Sequence, residues 1–214
     1  MPRIRTKRTD ILRKPDIDAM MQKAEPRLQC IIALAWLFGK RINEILRLRK
    51  QDVWVEGDYL FARFQVSKKK TRYESAIPQP YLKKIRVDHP YTKSIRDWMA
   101  QITDGYLFPT STLPSEVTVK TKYRDKTGQQ KTGTYHYVTD GGHLSRVRAW
   151  QLLKQVDANA WPHLFRESLA THMAENGASE EELMHWFDWD DIRTVHKYVK
   201  HGTKLTEKWS ERKW

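Results

Sequence analysis

The chain has 214 residues, 39% of them hydrophobic, and its 39 Lys+Arg against 26 Asp+Glu give a net charge of +13. That length supports one sizeable core, and the single cysteine, Cys30, excludes a disulfide framework and a cysteine-rich zinc site. No apolar run reaches the length of a membrane span, and so basic a balance predicts a polyanionic partner, for which nucleic acid is the usual candidate.

The N-terminus, Met1-Pro2-Arg3-Ile4-Arg5-Thr6-Lys7-Arg8, lacks a following apolar segment. It therefore reads as a basic arm over residues 1–9, able to touch phosphates, rather than as a secretory signal. Asp16 is expected to cap a short helix running through Met20 and Met21. Pro26 starts a second, mostly buried helix that ends near Gly39, with Cys30 as a core residue. Ile42, Ile45, Leu46 and Leu48 continue at helical spacing. The period then changes: Val53 to Asp58 followed by Tyr59 to Val66 reads as strand, turn, strand, and a third strand is expected at Tyr73 to Ile77. The tip between the second and third is basic, Lys68-Lys69-Lys70-Thr71-Arg72.

Residues 91–103 predict a helix with Ile95, Trp98 and Met99 on one face, closed by Tyr106-Leu107-Phe108-Pro109. Residues 110–142 are polar, and the runs Val117 to Tyr123 and Thr132 to Val138 flank Asp125-Lys126-Thr127-Gly128 as an inserted β-hairpin. Helices return at 144–155, 164–176 and 180–187; Gly177 stops the second, and Ser179 with Glu182 forms a capping box for the third. The expected fold class is α+β, mainly helical, with a small antiparallel sheet and the inserted hairpin.

Several residues then stand in a telling order. Gly39-Lys40-Arg41-Ile42-Asn43-Glu44 carries an Arg-x-x-Glu on a helix; the hairpin tip carries lysines; His163-Leu164-Phe165-Arg166 is a His-x-x-Arg box; and Trp189 precedes Tyr198 by nine residues. Each is weak alone, but jointly they resemble the tyrosine recombinase (phage integrase) family over roughly residues 10–200. The resemblance implies a catalytic domain over 10–202 and a C-terminal tail over 203–214. It implies a site-specific recombinase or integrase that cleaves and rejoins DNA through a 3′-phosphotyrosyl intermediate, with no metal and no cofactor.

The chemistry asks for these residue types. Two guanidiniums, Arg41 and Arg166, can neutralise the non-bridging oxygens of a phosphodiester with planar forks of donors. Tyr198 would be the nucleophile that stores the bond as a phosphotyrosine. Lys70, counted back from Ile77-Pro78, would protonate the leaving oxygen, with Lys69 the next candidate. His163, a helical turn before Arg166, would accept a proton or donate a hydrogen bond. Trp189 would offer its indole N–H to the phosphate, with Trp186 the purer core residue. Glu44 would orient the active-site cations. Lys68, Lys69, Arg72, Lys120, Lys122, Arg124, Lys126 and Arg146 are candidate DNA contacts.

The chain departs from the family pattern at Glu167, where a histidine is common, and at Asp188, where glycine is common; both put an extra acid near the site. It has no room for the DNA-clasping domain usual upstream, so weaker DNA affinity is expected than for a two-domain clamp. The expected partner is double-stranded DNA, bound by a homo-oligomer (dimer or tetramer), in the cytoplasm and off any membrane. The alternatives are a type IB topoisomerase-like relaxing enzyme and a catalytically inactive DNA-binding regulator of the same fold.

Overall fold

A computed structural model describes residues 11–65, 81–110, 116–124, 129–138 and 142–199. The basic arm and the C-terminal tail lie outside these residues. The first helix, α1 (Lys14–Lys23), starts three residues earlier than an Asp16 cap implies. Asp16 is not its cap: Arg13 is, and Asp16 sits at the third helical position, accepting a hydrogen bond from the Arg13 amide at 2.7 Å. Pro15 is tolerated in the first turn because its missing N–H had no intrahelical acceptor there. The same entry segment is strapped to a later helix, since the Leu12 amide donates to Ser168 Oγ at 2.8 Å and Arg13 pairs with Glu175 at 2.6 Å.

Helix α2 (Pro26–Phe38) is buried almost all round, with Leu28, Cys30, Ile31, Ile32, Leu34, Leu37 and Phe38 in the core. Burial on every face makes it the helix around which the others pack. It ends at Gly39, whose left-handed backbone (φ 59°) reverses the chain into α3 (Ile42–Leu46). A single 3₁₀ turn, Lys50–Asp52, then leads into the sheet.

The sheet is antiparallel in the order β1 (Val53–Glu56), β2 (Tyr59–Phe64), β3 (Tyr81–Arg86). Val53 pairs with Ala62 and Glu56 with Tyr59, so Gly57 and Asp58 make the two-residue turn; Phe64 pairs with Tyr81. Alternation buries Val53, Leu60, Ala62 and Phe64 on the inner face. The third strand expected at Tyr73–Ile77 falls outside the described residues, and the strand paired with β2 is instead Tyr81–Arg86. The segment between them carries Lys68, Lys69, Lys70 and Arg72, which are likewise outside.

Helix α4 (Thr92–Gln101) buries Ile95 and Met99, while half-buried Trp98 donates its indole N–H to Leu107 O at 2.8 Å. The inserted hairpin is present: β4 (Glu116–Arg124) and β5 (Gln130–Val138) pair throughout, with Lys120 opposite Thr134 and Arg124 opposite Gln130. Three helices follow as expected: α5 (Arg146–Val156), α6 (Pro162–Glu175) and α7 (Glu180–Phe187). The box at α7 is formed, Glu182 N donating to Ser179 Oγ at 3.1 Å and Ser179 N to Glu182 Oε2 at 2.7 Å. An eighth helix, α8 (Ile192–Val199), was not expected, and it carries Tyr198. A second apolar cluster of Ala170, Ala174, Leu183, Phe187 and Val195 joins α6, α7 and α8. No helix among the described residues is long and apolar enough to cross a membrane.

At Gly39 the end of α2 packs directly against the second cluster. A β-carbon there would lie 2.5 Å from Phe187 Cε1 and 2.9 Å from Leu169 Cδ2, in a backbone conformation that already disfavours L side chains. Gly39→Ala is expected to destabilise the fold by about 2–4 kcal/mol, from left-handed strain plus overpacking. Urea denaturation checks this; a loss below about 1 kcal/mol would mean the turn relaxes freely.

Candidate active site

The site is assembled at the ends of helices. Arg41 follows the Gly39 turn and caps α3. Glu44, at the third position of that helix, accepts from the Arg41 amide at 3.0 Å and from its guanidinium Nη1 at 3.1 Å. Glu44 is only 4% exposed, so it is not a solvent-facing helix charge; it holds Arg41 by both ends. Arg41 itself remains partly exposed, with its head on an open cavity.

Arg166, in the second turn of α6, is 2% exposed. Its Nη1 donates to Gly39 O at 2.7 Å and its Nη2 to Phe187 O. The guanidinium also lies 5.0 Å from the Phe187 ring centroid and 5.4 Å from that of Trp189. Burial, and then the charge of Arg41, pull its pKa down to about 10. It is still a cation at neutral pH, and it lies close enough to Arg41 to feel that charge. Two like charges held together favour an anion placed between them.

Helix α7 stops at Asp188, which takes the left-handed conformation (φ 52°) normally left to glycine. Trp189 follows and stacks on Phe187, with centroids 4.7 Å apart, and on Tyr198, 5.2 Å apart and 7° from parallel. Tyr198 thus ends a three-ring stack whose other members cover Arg166. Burial raises the Tyr198 pKa to about 12; the charge of Glu167 adds to this and Arg166 opposes it. The acid at 167 therefore acts on the phenol itself, which is protonated at neutral pH.

His163 lies near the start of α6, exposed, with Nε2 3.9 Å from Glu167 Oε1. It borders a cavity of about 480 Å³ together with Arg41 and Arg146, and Trp150 and Trp161 supply much of the apolar wall. The structure therefore brings Arg41, Glu44, Arg166, Trp189 and Tyr198 into one cluster, with His163 and Arg146 on the cavity that Arg41 opens. Lys68, Lys69, Lys70, Arg72 and Lys126 lie outside the described residues, and Lys120, Lys122 and Arg124 occupy alternate positions of β4. Trp186 is half-buried rather than deep in the core, with Lys83 Nζ 5.3 Å from its ring centroid. Sequence reasoning missed Lys40 and Lys83, two buried cations behind the site, because a lysine flanking an apolar run reads as a solvated boundary. Among the described residues no three His, Cys, Asp or Glu side chains are grouped as metal ligands.

The phage integrase family model matches residues 10–204, and the chain belongs to that family. Tyrosine recombinase XerD of Mycobacterium tuberculosis (strain CDC 1551 / Oshkosh) is 35% identical over 72 residues, 31% of this chain and 19% of the relative. XerD of Halalkalibacterium halodurans is 34% identical over 88 residues, 38% and 29% respectively. Among solved structures, XerH recombinase bound to its difH substrate aligns with a TM-score of 0.60 at 12% identity, covering 96% of this chain and 55% of that one. The Tn1549 transposon integrase in complex with circular intermediate DNA aligns at 0.59 and 11% identity, covering 100% and 66%. At such identities the structures show the shared fold. The matched regions span under a third of those two curated relatives, and the chain covers about half to two thirds of the two structures.

The tyrosine makes a pH prediction. Its folded pKa lies above the ordinary value, so the stabilisation from keeping it neutral is full below pH about 10 and is lost as pH rises through about 12. Titrating phenolate absorbance as the difference between the protein and Tyr198→Phe should show one group ionising near 12. Ionisation near 10 would mean that the stack does not bury the phenol.

Proposed function

We propose that this chain is the catalytic part of a site-specific DNA recombinase or integrase that breaks and rejoins a phosphodiester through Tyr198, without a metal. The observation that carries the reading is the cluster itself: a buried guanidinium, Arg166, that feels the charge of Arg41, beside a stacked, protonated tyrosine at the end of α8. Arg41 and Arg166 hold the non-bridging oxygens of the target phosphate and offset the charge that builds there in the transition state. Tyr198 Oη attacks phosphorus, its proton passing to His163. The P–O5′ bond breaks as the 3′-phosphotyrosine forms, and Lys70, with Lys69 the next candidate, protonates the departing 5′ oxygen. A 5′ hydroxyl from the same or another strand then attacks phosphorus and releases the phenol. Trp189 packs against Arg166 and Tyr198, so it holds nucleophile and cation in register.

Lys120, Lys122 and Arg124 on β4, with Arg146 at the cavity, supply phosphate contacts that carry no base information. Binding dominated by such contacts is salt-dependent. Affinity for duplex DNA should fall about 1,000-fold or more between 50 and 200 mM salt if six or more phosphates are contacted.

The test is covalent capture on a pool of nicked duplexes with a randomised core, read as a protein–DNA adduct that survives denaturation. Wild type should form the adduct, Tyr198→Phe should form none, and Arg41→Ala should slow it by about 100- to 1,000-fold. Sequencing the captured DNA then gives the target. An adduct of undiminished yield in Tyr198→Phe would overturn the assignment of the nucleophile, and no adduct at all would leave a DNA-binding protein without the chemistry.

A further inference from the structure

Behind the reacting groups lies a set of charges that this chemistry does not use. Lys40 and Asp188 have side chains 0% and 9% exposed, and they are bonded to one another. Lys83, on β3, is buried beside them; its Nζ donates to His185 O at 2.9 Å and lies 3.9 Å from Asp188 Oδ1. That oxygen has no hydrogen-bond partner among the described residues. Lys40 Nζ also sits 5.1 Å from the Tyr81 ring centroid and 5.6 Å from that of Phe64. One carboxylate thus balances two ammoniums out of water. Desolvation pulls both lysines below their usual value, with Asp188 opposing it. Buried ion clusters add little net stability, so stability alone does not account for this one.

Its location does. Lys40 is the residue after Gly39, and Asp188 the residue after Phe187. Gly39 and Phe187 supply the two carbonyls that hold Arg166. Asp188 is also the left-handed residue from which Trp189 departs toward Tyr198. Lys83 grips His185, in the last turn of α7, from the sheet side. The ion cluster therefore ties the end of α2, the end of α7 and β3 together at the level of the arginine clamp.

We propose that Lys40, Asp188 and Lys83 are positioning residues for strand cleavage: their buried ion cluster sets the spacing of the Gly39 and Phe187 carbonyls that aim Arg166, and fixes the turn from which Trp189 stacks on Tyr198. The inference rests on the cleavage reading above. It also explains why this chain carries a lysine and an aspartate at the two turns together, since either alone would strand a buried charge.

The test uses the triple variant K40M/K83M/D188N, which removes every charge of the cluster at similar volume and keeps a residue tolerant of the left-handed turn. Its thermal midpoint is expected to stay at or above that of wild type. Covalent capture on the nicked pool is expected to slow about 10- to 100-fold, with gel-shift affinity for the same pool unchanged. Tyr198 ionisation, measured against the matching Tyr198→Phe protein, is expected to move from about 12 toward the ordinary tyrosine value. D188N alone should slow capture as well and melt earlier, because it leaves two ammoniums without a counter-ion. A triple variant that captures DNA at the wild-type rate with Tyr198 still ionising near 12 would overturn the proposal and leave the cluster a merely structural feature. Should wild type itself give no capture, the cleavage reading fails, and the Tyr198 titration still decides the positioning claim.

Discussion

A guanidinium buried to 2% exposure must have its donors satisfied, and Arg166 places two of them on the carbonyls of Gly39 and Phe187. Those carbonyls are 148 residues apart in sequence, at the ends of α2 and α7. Much of the domain follows from bringing them together. The chain reverses at both points through a left-handed residue, Gly39 itself at the first and Asp188, the residue after Phe187, at the second. Phe187 must approach Gly39 so closely that no β-carbon fits. The reversal after Gly39 delivers Arg41 to the cap of α3, and the reversal after Phe187 delivers Trp189 to the stack. One buried cation thus organises the residues that surround it.

The electrostatics of the cluster favour an anion. The charge of Arg41 disfavours that of Arg166, Lys40 and Lys83 add buried positive charge behind them, and Asp188 is shared between the two lysines. A phosphate entering from the Arg41 side would relieve that repulsion, which is how a fixed set of cations favours a transition state richer in charge than the free site. Glu44 and Glu167 moderate the field in opposite ways. The first pins Arg41, and the second adds its charge to the burial that keeps the phenol protonated. The acid at 167, one of the chain's departures from the family pattern, thereby acts on the Tyr198 phenol.

The local chemistry was legible in the sequence, and the long-range pairing was not. The Gly39 stop, the Ser179 box and the β1–β2 and β4–β5 pairings follow from neighbours a few residues apart, and the structure has all of them. Asp16 sits at the third position of α1 rather than at its N-cap, and an acid is favoured at both places. Strand β3 escaped because Lys83 and Lys84 break its alternation, and Lys83 turns out to be buried by a partner that lies 105 residues further on. Helix α8 had its signal, with Ile192, Val195 and Tyr198 at helical spacing, but Asp190 and Asp191 made its start look like a loop. The pairing of Lys40 with Asp188 spans 148 positions, and no local pattern announces such a match.

The central claim is that the guanidiniums of Arg41 and Arg166 and the phenol of Tyr198 converge on one phosphorus. A crystal structure of the protein with a nicked duplex and orthovanadate, which mimics five-coordinate phosphorus, tests it most directly. The account predicts vanadium bonded to Tyr198 Oη, with both guanidiniums donating to its equatorial oxygens. Vanadate bound away from Tyr198, or bridged by only one of the two arginines while the other faces elsewhere, would contradict it.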